Sequence, residues 1–324
     1  MRLLRTYGYD SLLHHSIDYP MKIDSLLKIS LLLTLIMLSA GCHAHLGAKP
    51  ETATIAIKDY AIDKEILNIV YSKPGWPQTL RADLYLPQKN GLLPVVMMIH
   101  GGGWANRSRD DMTAISEELA QRGYAVMNVD YRFAPKYTYP AQLHDLQQAR
   151  NWLTANADHY RLDLNRVNAW GYSSGAHLAA LLGGLDQGQL STDQAQKLPR
   201  MRAVVAGGIP ADLSKYSNSP IVMRFMGGAR DDMPERYAQA SPQHHVSADD
   251  PAVFLYHGKL DSLVSKEQSI DYHDALMAAG VDTELYLHSW HGHMSMFLFG
   301  GEAESRAIDF LDRKNAENLA LAGD

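Results

Sequence analysis

The sequence predicts an α/β domain built on a mostly parallel, twisted sheet with helices on both faces. Three observations lead there. Apolar strand-like runs alternate with runs at helical spacing through most of the chain. Residues 166–170 read as a short strand entering Gly171-Tyr172-Ser173-Ser174-Gly175, and residues 176–182 read as a helix leaving it, so a serine sits on a tight strand-to-helix turn. A glycine run, His100-Gly101-Gly102-Gly103-Trp104, follows an apolar stretch at 94–99 that reads as a buried strand.

The elements follow in order. Residues 65–71 and 80–86 read as early strands, joined by the turn Lys73-Pro74-Gly75-Trp76-Pro77. After the 94–99 strand, 111–122 has helical spacing that Gly123 stops, and 124–131 is the next strand. A longer helix over 140–160 presents Leu143, Leu146, Ala149, Trp152 and Leu153 at three- and four-residue spacing. Further strands are expected at 203–206, 252–256 and 283–287, with closing helices at 265–279 and 302–318. Residues 207–250 break the rhythm, with Pro210, Pro220, Pro234 and Pro242 between short helical stretches such as 221–226. Insertions of this kind are commonly lids or binding loops. The segment is expected either to roof the site, with Phe225 or Met226 lining it, or to pack on the domain's own surface.

The amino-terminal region reads as a targeting segment. Lys22 and Lys28 precede an apolar run at 29–38 broken only by Ser30 and Thr34, and Ser39-Ala40-Gly41-Cys42 closes it with small residues before a cysteine. This is the layout of a secretory signal. The residues before Cys42 resemble a bacterial lipobox, in which the cysteine is acylated and becomes the mature amino terminus. Cys42 is the only cysteine, so it makes no internal disulfide or cysteine metal cluster. The apolar run is too short to span a bilayer comfortably, since about 20 apolar residues are needed. The expected organisation is a true start at Met21 (residues 1–20 being long and mixed for a signal), a signal at 21–41, a tether at 42–54 and a domain over 55–324. The expected location is the bacterial cell envelope, held to a membrane through Cys42. A formal charge of −6 and a pI near 6.2 leave no electrostatic footprint for nucleic acid.

Serine is a weak nucleophile without a base, and the base needs an acid to orient it. Asp261 follows the 252–256 strand and the turn His257-Gly258-Lys259-Leu260, at the carboxyl end of a sheet strand where ligands gather in open α/β sheets. His288, His291 and His293 cluster after the last strand. His293 is the base expected from its depth in the loop before the closing helix, with His291 the alternative. The His291-x-His293 pair lacks a third ligand of telling spacing, so no metal is expected. His100 is expected to shape the glycine loop by hydrogen bonding, and His177 to pack against the elbow helix. The glycine run can turn backbone N–H groups toward an oxygen, which is what acyl transfer requires.

Taken together, these pieces resemble the α/β-hydrolase superfamily, in its hormone-sensitive-lipase-like and feruloyl/acetyl-xylan-esterase-like branches. The matching stretches are His100–Trp104, Asp130-Tyr131-Arg132-Phe133-Ala134-Pro135 with Pro140 beyond, Gly171–Ala179, Ala240-Ser241-Pro242, His257–Val264 and Gly292-His293. The resemblance implies an α/β-hydrolase fold, Ser173 as nucleophile, Asp261 as acid and His293 as base. It implies an oxyanion hole from the N–H groups of Gly102, Gly103 and Ser174, and no cofactor. Where the lipase-like branch commonly carries Asp and Ala-Gly-Gly around the serine, this chain has Tyr172 and Ser174-Gly175-Ala176, which favours the second branch. The expected function is a serine carboxylesterase for small-molecule esters; the alternatives are an amidase or formamidase, a lipase, and a non-catalytic binding protein.

Overall fold

The structure, a computed structural model, describes residues 43–47, 59–185 and 199–321. The expected start at Met21, the signal at 21–41, Cys42 and the 48–54 part of the tether lie outside these residues. The strands are β1 (Ala44–Leu46), β2 (Ile62–Val70), β3 (Arg81–Pro87), β4 (Leu93–Ile99), β5 (Ala125–Val129), β6 (Leu162–Tyr172), β7 (Ala203–Gly207), β8 (Ala252–Gly258) and β9 (Thr283–His288). The helices are α1 (Thr113–Gln121), α2 (Ala141–Ala155), α3 (Ala157–Tyr160), α4 (Ser174–Gly184), α5 (Pro220–Met226), α6 (Pro234–Gln239), α7 (Glu267–Ala278), α8 (His293–Phe299) and α9 (Gly301–Leu321).

The strands form one sheet in the order β1-β9-β8-β7-β6-β4-β5-β3-β2. From β9 across to β5 every neighbouring pair is parallel, while β1, β3 and β2 are antiparallel additions at the two edges. The centre is dry on both sides, which explains why β4 reads as an unbroken apolar run. Strand alternation sorts its side chains into two layers. Val95, Met97 and Ile99 pack with Leu146 of α2, Leu178 of α4 and Leu276 of α7. Val96 and Met98 pack with Leu119 of α1 and with Ile308 and Phe310 of α9.

Three elements depart from expectation. The helix expected over 140–160 divides at Asn156, whose side-chain amide donates to the Trp152 carbonyl at 2.8 Å and terminates α2. Such local side-chain bonds compete with helix propagation. Within the expected tether, Ala44–Leu46 is a strand that pairs antiparallel with β9, Ala44 opposite Leu287, and His45 Nε2 lies 2.9 Å from Glu284 Oε2. A three-residue strand carries too short a pattern to read in sequence. His293, expected in a loop, opens α8.

The Asp130–Pro135 motif is fixed by a buried ion pair. Arg132 donates from Nε to Asp145 Oδ1 at 2.8 Å and from its backbone N–H to Oδ2 at 2.9 Å, and Trp76 Nε1 adds a bond to Oδ1 at 2.7 Å. Removing one partner of such a pair strands the other charge. Asp145→Ala is therefore expected to lower unfolding free energy by about 3–5 kcal/mol in urea titrations; a loss within experimental error would show that water replaces the carboxylate at no cost.

Candidate active site

Ser173 sits between β6 and α4 with φ 55° and ψ −122°, a backbone conformation that side-chain-bearing residues rarely adopt. The flanking glycines are there for space. A Cβ on Gly171 would lie 2.2 Å from the Gly175 carbonyl carbon, and one on Gly175 would lie 2.1 Å from the Ile99 oxygen. The turn therefore closes only when both positions lack a side chain. The Ser173 N–H donates to the Gly207 carbonyl at 2.7 Å, tying the elbow to β7.

Three sequence-predicted residues come together here. His293 Nε2 lies 2.8 Å from Ser173 Oγ, and His293 Nδ1 lies 2.6 Å from Asp261 Oδ2. With Nδ1–H donating to the carboxylate, Nε2 is left to accept the serine proton. Tyr172 O–H donates to the His293 carbonyl at 2.6 Å, which fixes the first turn of α8. His291 is elsewhere: its ring lies tilted against that of His288, with centroids 4.0 Å apart. His293 is thus the histidine within reach of the serine.

Sequence reasoning missed His257. It is fully buried at the end of β8, its Nε2 lies 3.2 Å from Asp261 Oδ2 and 2.9 Å from the Val264 carbonyl, and its Nδ1 lies 2.7 Å from Ser269 Oγ. With Ser269 O–H donating to Nδ1, the Nε2–H is shared between the Val264 carbonyl and the Asp261 carboxylate. Asp261 Oδ1 meanwhile accepts the N–H groups of Leu263 and Val264 at 2.9 and 2.8 Å. Burial alone would raise the Asp261 pKa, but the hydrogen bonds from His257 and His293 outweigh it and hold the carboxyl well below the usual range. The available signal was spacing: His257 lies four residues before Asp261, across a turn.

The glycine run forms a cradle facing the serine. Gly102, Gly103 and Trp104 have φ of 113°, 60° and 58°, and a Cβ on Gly102 would lie 2.2 Å from the Asn106 carbonyl oxygen. Among the described residues no acceptor takes the N–H of Gly102, Gly103 or Ser174. Successive left-handed residues present such N–H groups to an anion. His100 stacks on Tyr131 at 4.3 Å and its Nδ1 lies 2.7 Å from the Gly101 carbonyl oxygen, shaping the loop from beneath. His177 does more than pack. It accepts the Trp104 indole N–H at Nδ1 (3.3 Å) and donates from Nε2 to the Ala240 carbonyl (2.6 Å). Trp104 stacks on Phe225 at 4.3 Å.

A cavity of about 300 Å³ opens over Ser173 and His293, walled by Pro210, Tyr216, Ile221 and Val222 of the 207–250 segment and by Phe297 of α8. That segment does roof the site. Phe225 and Met226, however, are fully buried in the core, and Ile221 and Val222 of the same helix take the lining positions. Away from the cavity, His43, His288 and Glu302 bring possible ligand atoms within 4.8 Å of one another. Their atoms are engaged locally: both Nδ1 atoms accept backbone N–H groups, and Glu302 pairs with Arg306. The predicted lipidation residue, Cys42, lies outside the described residues.

The BD-FAE family model matches residues 82–276. The chain belongs to that family. LipM of Mycobacterium tuberculosis, a probable carboxylic ester hydrolase, is 29% identical over 241 residues, covering 71% of this chain and 55% of that protein. The kynurenine formamidase of Danio rerio is 27% identical over 243 residues, covering 73% of this chain and 77% of the formamidase. The chain spans about half the length of the mycobacterial esterases it matches. Among solved structures, a bifunctional GH43-CE of Bacteroides eggerthii superposes with a TM-score of 0.68 at 26% identity, over 77% of this chain and 38% of that one. The BD-FAE chain adopts the α/β-hydrolase fold.

Two titrations here work against each other. Burial pushes His177 down to about 4. The unfolded chain, with histidine near ~6.5, binds more protons across the interval, so this group makes stability rise with pH. Burial, helped by the charge of Glu118, pushes Glu304 up to about 7. There the folded chain binds more protons above ~4.3, so stability falls as pH rises. Melting temperatures between pH 4.5 and 6.5 should climb more steeply in Glu304→Gln than in wild type and less steeply in His177→Gln. Identical slopes in all three proteins would show that neither group titrates as burial requires.

Proposed function

We propose that this protein is a serine carboxylesterase for small carboxylic esters. The observation that carries the reading is the hydrogen-bonded relay Asp261–His293–Ser173 opening into a cavity of about 300 Å³. Ser173 Oγ attacks the ester carbonyl carbon while His293 Nε2 takes its proton. Asp261 holds the imidazole tautomer and stabilises the imidazolium. The negative charge on the former carbonyl oxygen is met by the N–H groups of Gly102, Gly103 and Ser174. The tetrahedral adduct collapses, the alkoxide leaves with the proton from His293, and an acyl group remains on Ser173. A water then attacks with His293 as base, and the acid departs. Every step is met by side chains and backbone of this chain, so the mechanism calls for no cofactor.

The esterase names carried by the mycobacterial relatives support this chemistry. A second reading has a specific support. The formamidase likeness extends over 77% of that protein, and the same relay would cleave a formyl amide if His293 protonated an amine leaving group. The cavity volume favours short acyl groups over long chains. For location, the signal-like run ending at Cys42 supports a lipid-anchored protein of the bacterial cell envelope. Mass spectrometry of the amino-terminal peptide tests it: a diacylglyceryl adduct on Cys42 is expected, and an unmodified thiol would refute it.

The deciding experiment is hydrolysis of p-nitrophenyl esters from acetate to palmitate, beside Ser173→Ala. Serine-dependent activity that peaks at acetate to butyrate is expected, with a loss of roughly 10⁴-fold or more in the variant. Activity rising toward palmitate would make the protein a lipase, and cleavage of N-formyl anilides in preference to esters would make it an amidase. His257→Phe, which removes one donor from the Asp261 carboxylate, is expected to lower kcat about 10-fold or more with KM little changed. His257→Gln, which keeps an N–H donor, should recover part of it. A His257→Phe enzyme with wild-type kcat would show that two backbone N–H groups and His293 suffice to set the acid.

A further inference from the structure

We infer that the face carrying the mouth of the cavity lies against the lipid bilayer. The inference rests on the lipid anchor proposed above for the choice of occupant, and on topology and surface chemistry for the face itself. Because β1 is antiparallel to β9, the chain enters the domain at the carboxyl end of β9. Ser173 follows β6, Asp261 follows β8 and His293 follows β9, so this is the edge at which the site is built. The entry point is held there: the His43 ring lies against that of His288 with centroids 4.1 Å apart, and His43 accepts the Ser289 N–H at 3.1 Å. Cys42 directly precedes His43 in the chain. A lipid on Cys42 would leave no length of chain to hold this edge off the membrane.

The surface beside that entry point is apolar. Leu260, Trp290, Leu298 and Phe299 are 61%, 61%, 60% and 72% exposed, and Leu263 and Met294 are exposed with them. These six are half of the twelve large apolar side chains exposed among the described residues. They come from two neighbouring segments, 260–263 and 290–299. The Leu260 N–H bonds to the His291 carbonyl at 3.0 Å, Leu263 and Met294 share the cavity lining, and Met294 and Leu298 are one turn apart on α8. Patches of this kind mark interaction surfaces. Phe, Trp and Leu side chains are those that insert at the headgroup boundary. A second copy of the chain could cover the same patch, but the entry of β1 at this edge favours lipid. The cavity would then take its esters from the membrane surface or from the narrow layer above it.

The test uses the lipidated protein extracted from membranes and reconstituted in phosphatidylethanolamine–phosphatidylglycerol vesicles with brominated acyl chains. Mass spectrometry confirms acylation of Cys42, and p-nitrophenyl acetate hydrolysis reports the site independently. Quenching of a tryptophan emission component by the bromolipid is expected. That component should be absent in Trp290→Phe and diminished in the Leu298→Ser/Phe299→Ser double variant, while soluble-ester hydrolysis stays at the wild-type level in both. Acylated, active protein without Trp290-dependent quenching would overturn the inference. So would cross-linking in the vesicles that joins two copies through this face, and so would an unacylated Cys42. Loss of hydrolysis in every form, with quenching intact, would sink the esterase reading and leave the membrane face standing.

Discussion

The left-handed backbone at Ser173 is the constraint on which the rest of the site depends. Such a conformation costs of the order of 1–3 kcal/mol and persists only where the surroundings over-determine it. Here they do so from several directions. Gly171 and Gly175 admit the carbonyls of the turn and of β4 within distances that no Cβ tolerates. Gly208 sits where a side chain would come within 3.0 Å of the Tyr172 ring and 3.2 Å of His293 Cε1. The register of β6 between β4 and β7 brings Gly171 opposite Ile99 and Tyr172 opposite Gly207, so the sheet itself presses the turn closed. Strain at the serine follows from strand pairing that leaves no room for a side chain at the glycines on either side of it.

Around that fixed point the histidines divide into distinct electrical roles set by their partners. His293 has a carboxylate on one nitrogen and a hydroxyl on the other, and so can accept a proton with its imidazolium already compensated. His257 faces the same carboxylate but is sealed in the core with both nitrogens engaged, which suits it to orient and not to transfer. His177 is bonded on both sides to neutral groups, and burial keeps it uncharged. Keeping His177 neutral leaves the field at the cradle to the backbone dipoles, which need no counter-charge.

Much of this was legible in the sequence because it is short-range. The serine turn, the glycine loop and the strand that precedes each are contiguous segments, and their glycines report steric requirements directly. Asp261 and His293 were legible because strand ends are where side chains meet in a parallel sheet. The parts that escaped have physical reasons. β1 is three residues long and owes its conformation to β9, with no internal periodicity of its own. The break at Asn156 depends on one side-chain bond, and helix ends always carry that ambiguity. His257 reads as part of a turn, and only the folding of β8 against the Leu263-Val264 segment turns it toward Asp261. Phe225 or Met226 as cavity lining rests on apolar character alone, and apolar character suits a core equally well. Which face of a seven-residue helix points inward is decided by Trp104, 121 positions before Phe225.

That last contact links two functions usually treated as separate. Helix α5 turns Ile221 and Val222 toward the cavity, where they line it, and turns Phe225 onto Trp104, which ends the glycine run. Ile221 also closes on the cradle from above: a Cβ at Gly103 would lie 3.0 Å from its Cγ2 atom. The Tyr139 N–H donates to the Phe225 carbonyl at 2.9 Å and His177 bonds the Ala240 carbonyl, so the roof is fastened to the core at two points. Interiors packed in this way transmit a change in volume to their neighbours. A roof packed onto the cradle in this way cannot be widened without moving the N–H groups of the glycine run. In this architecture the width of the roof and the geometry of the glycine cradle are one structural variable.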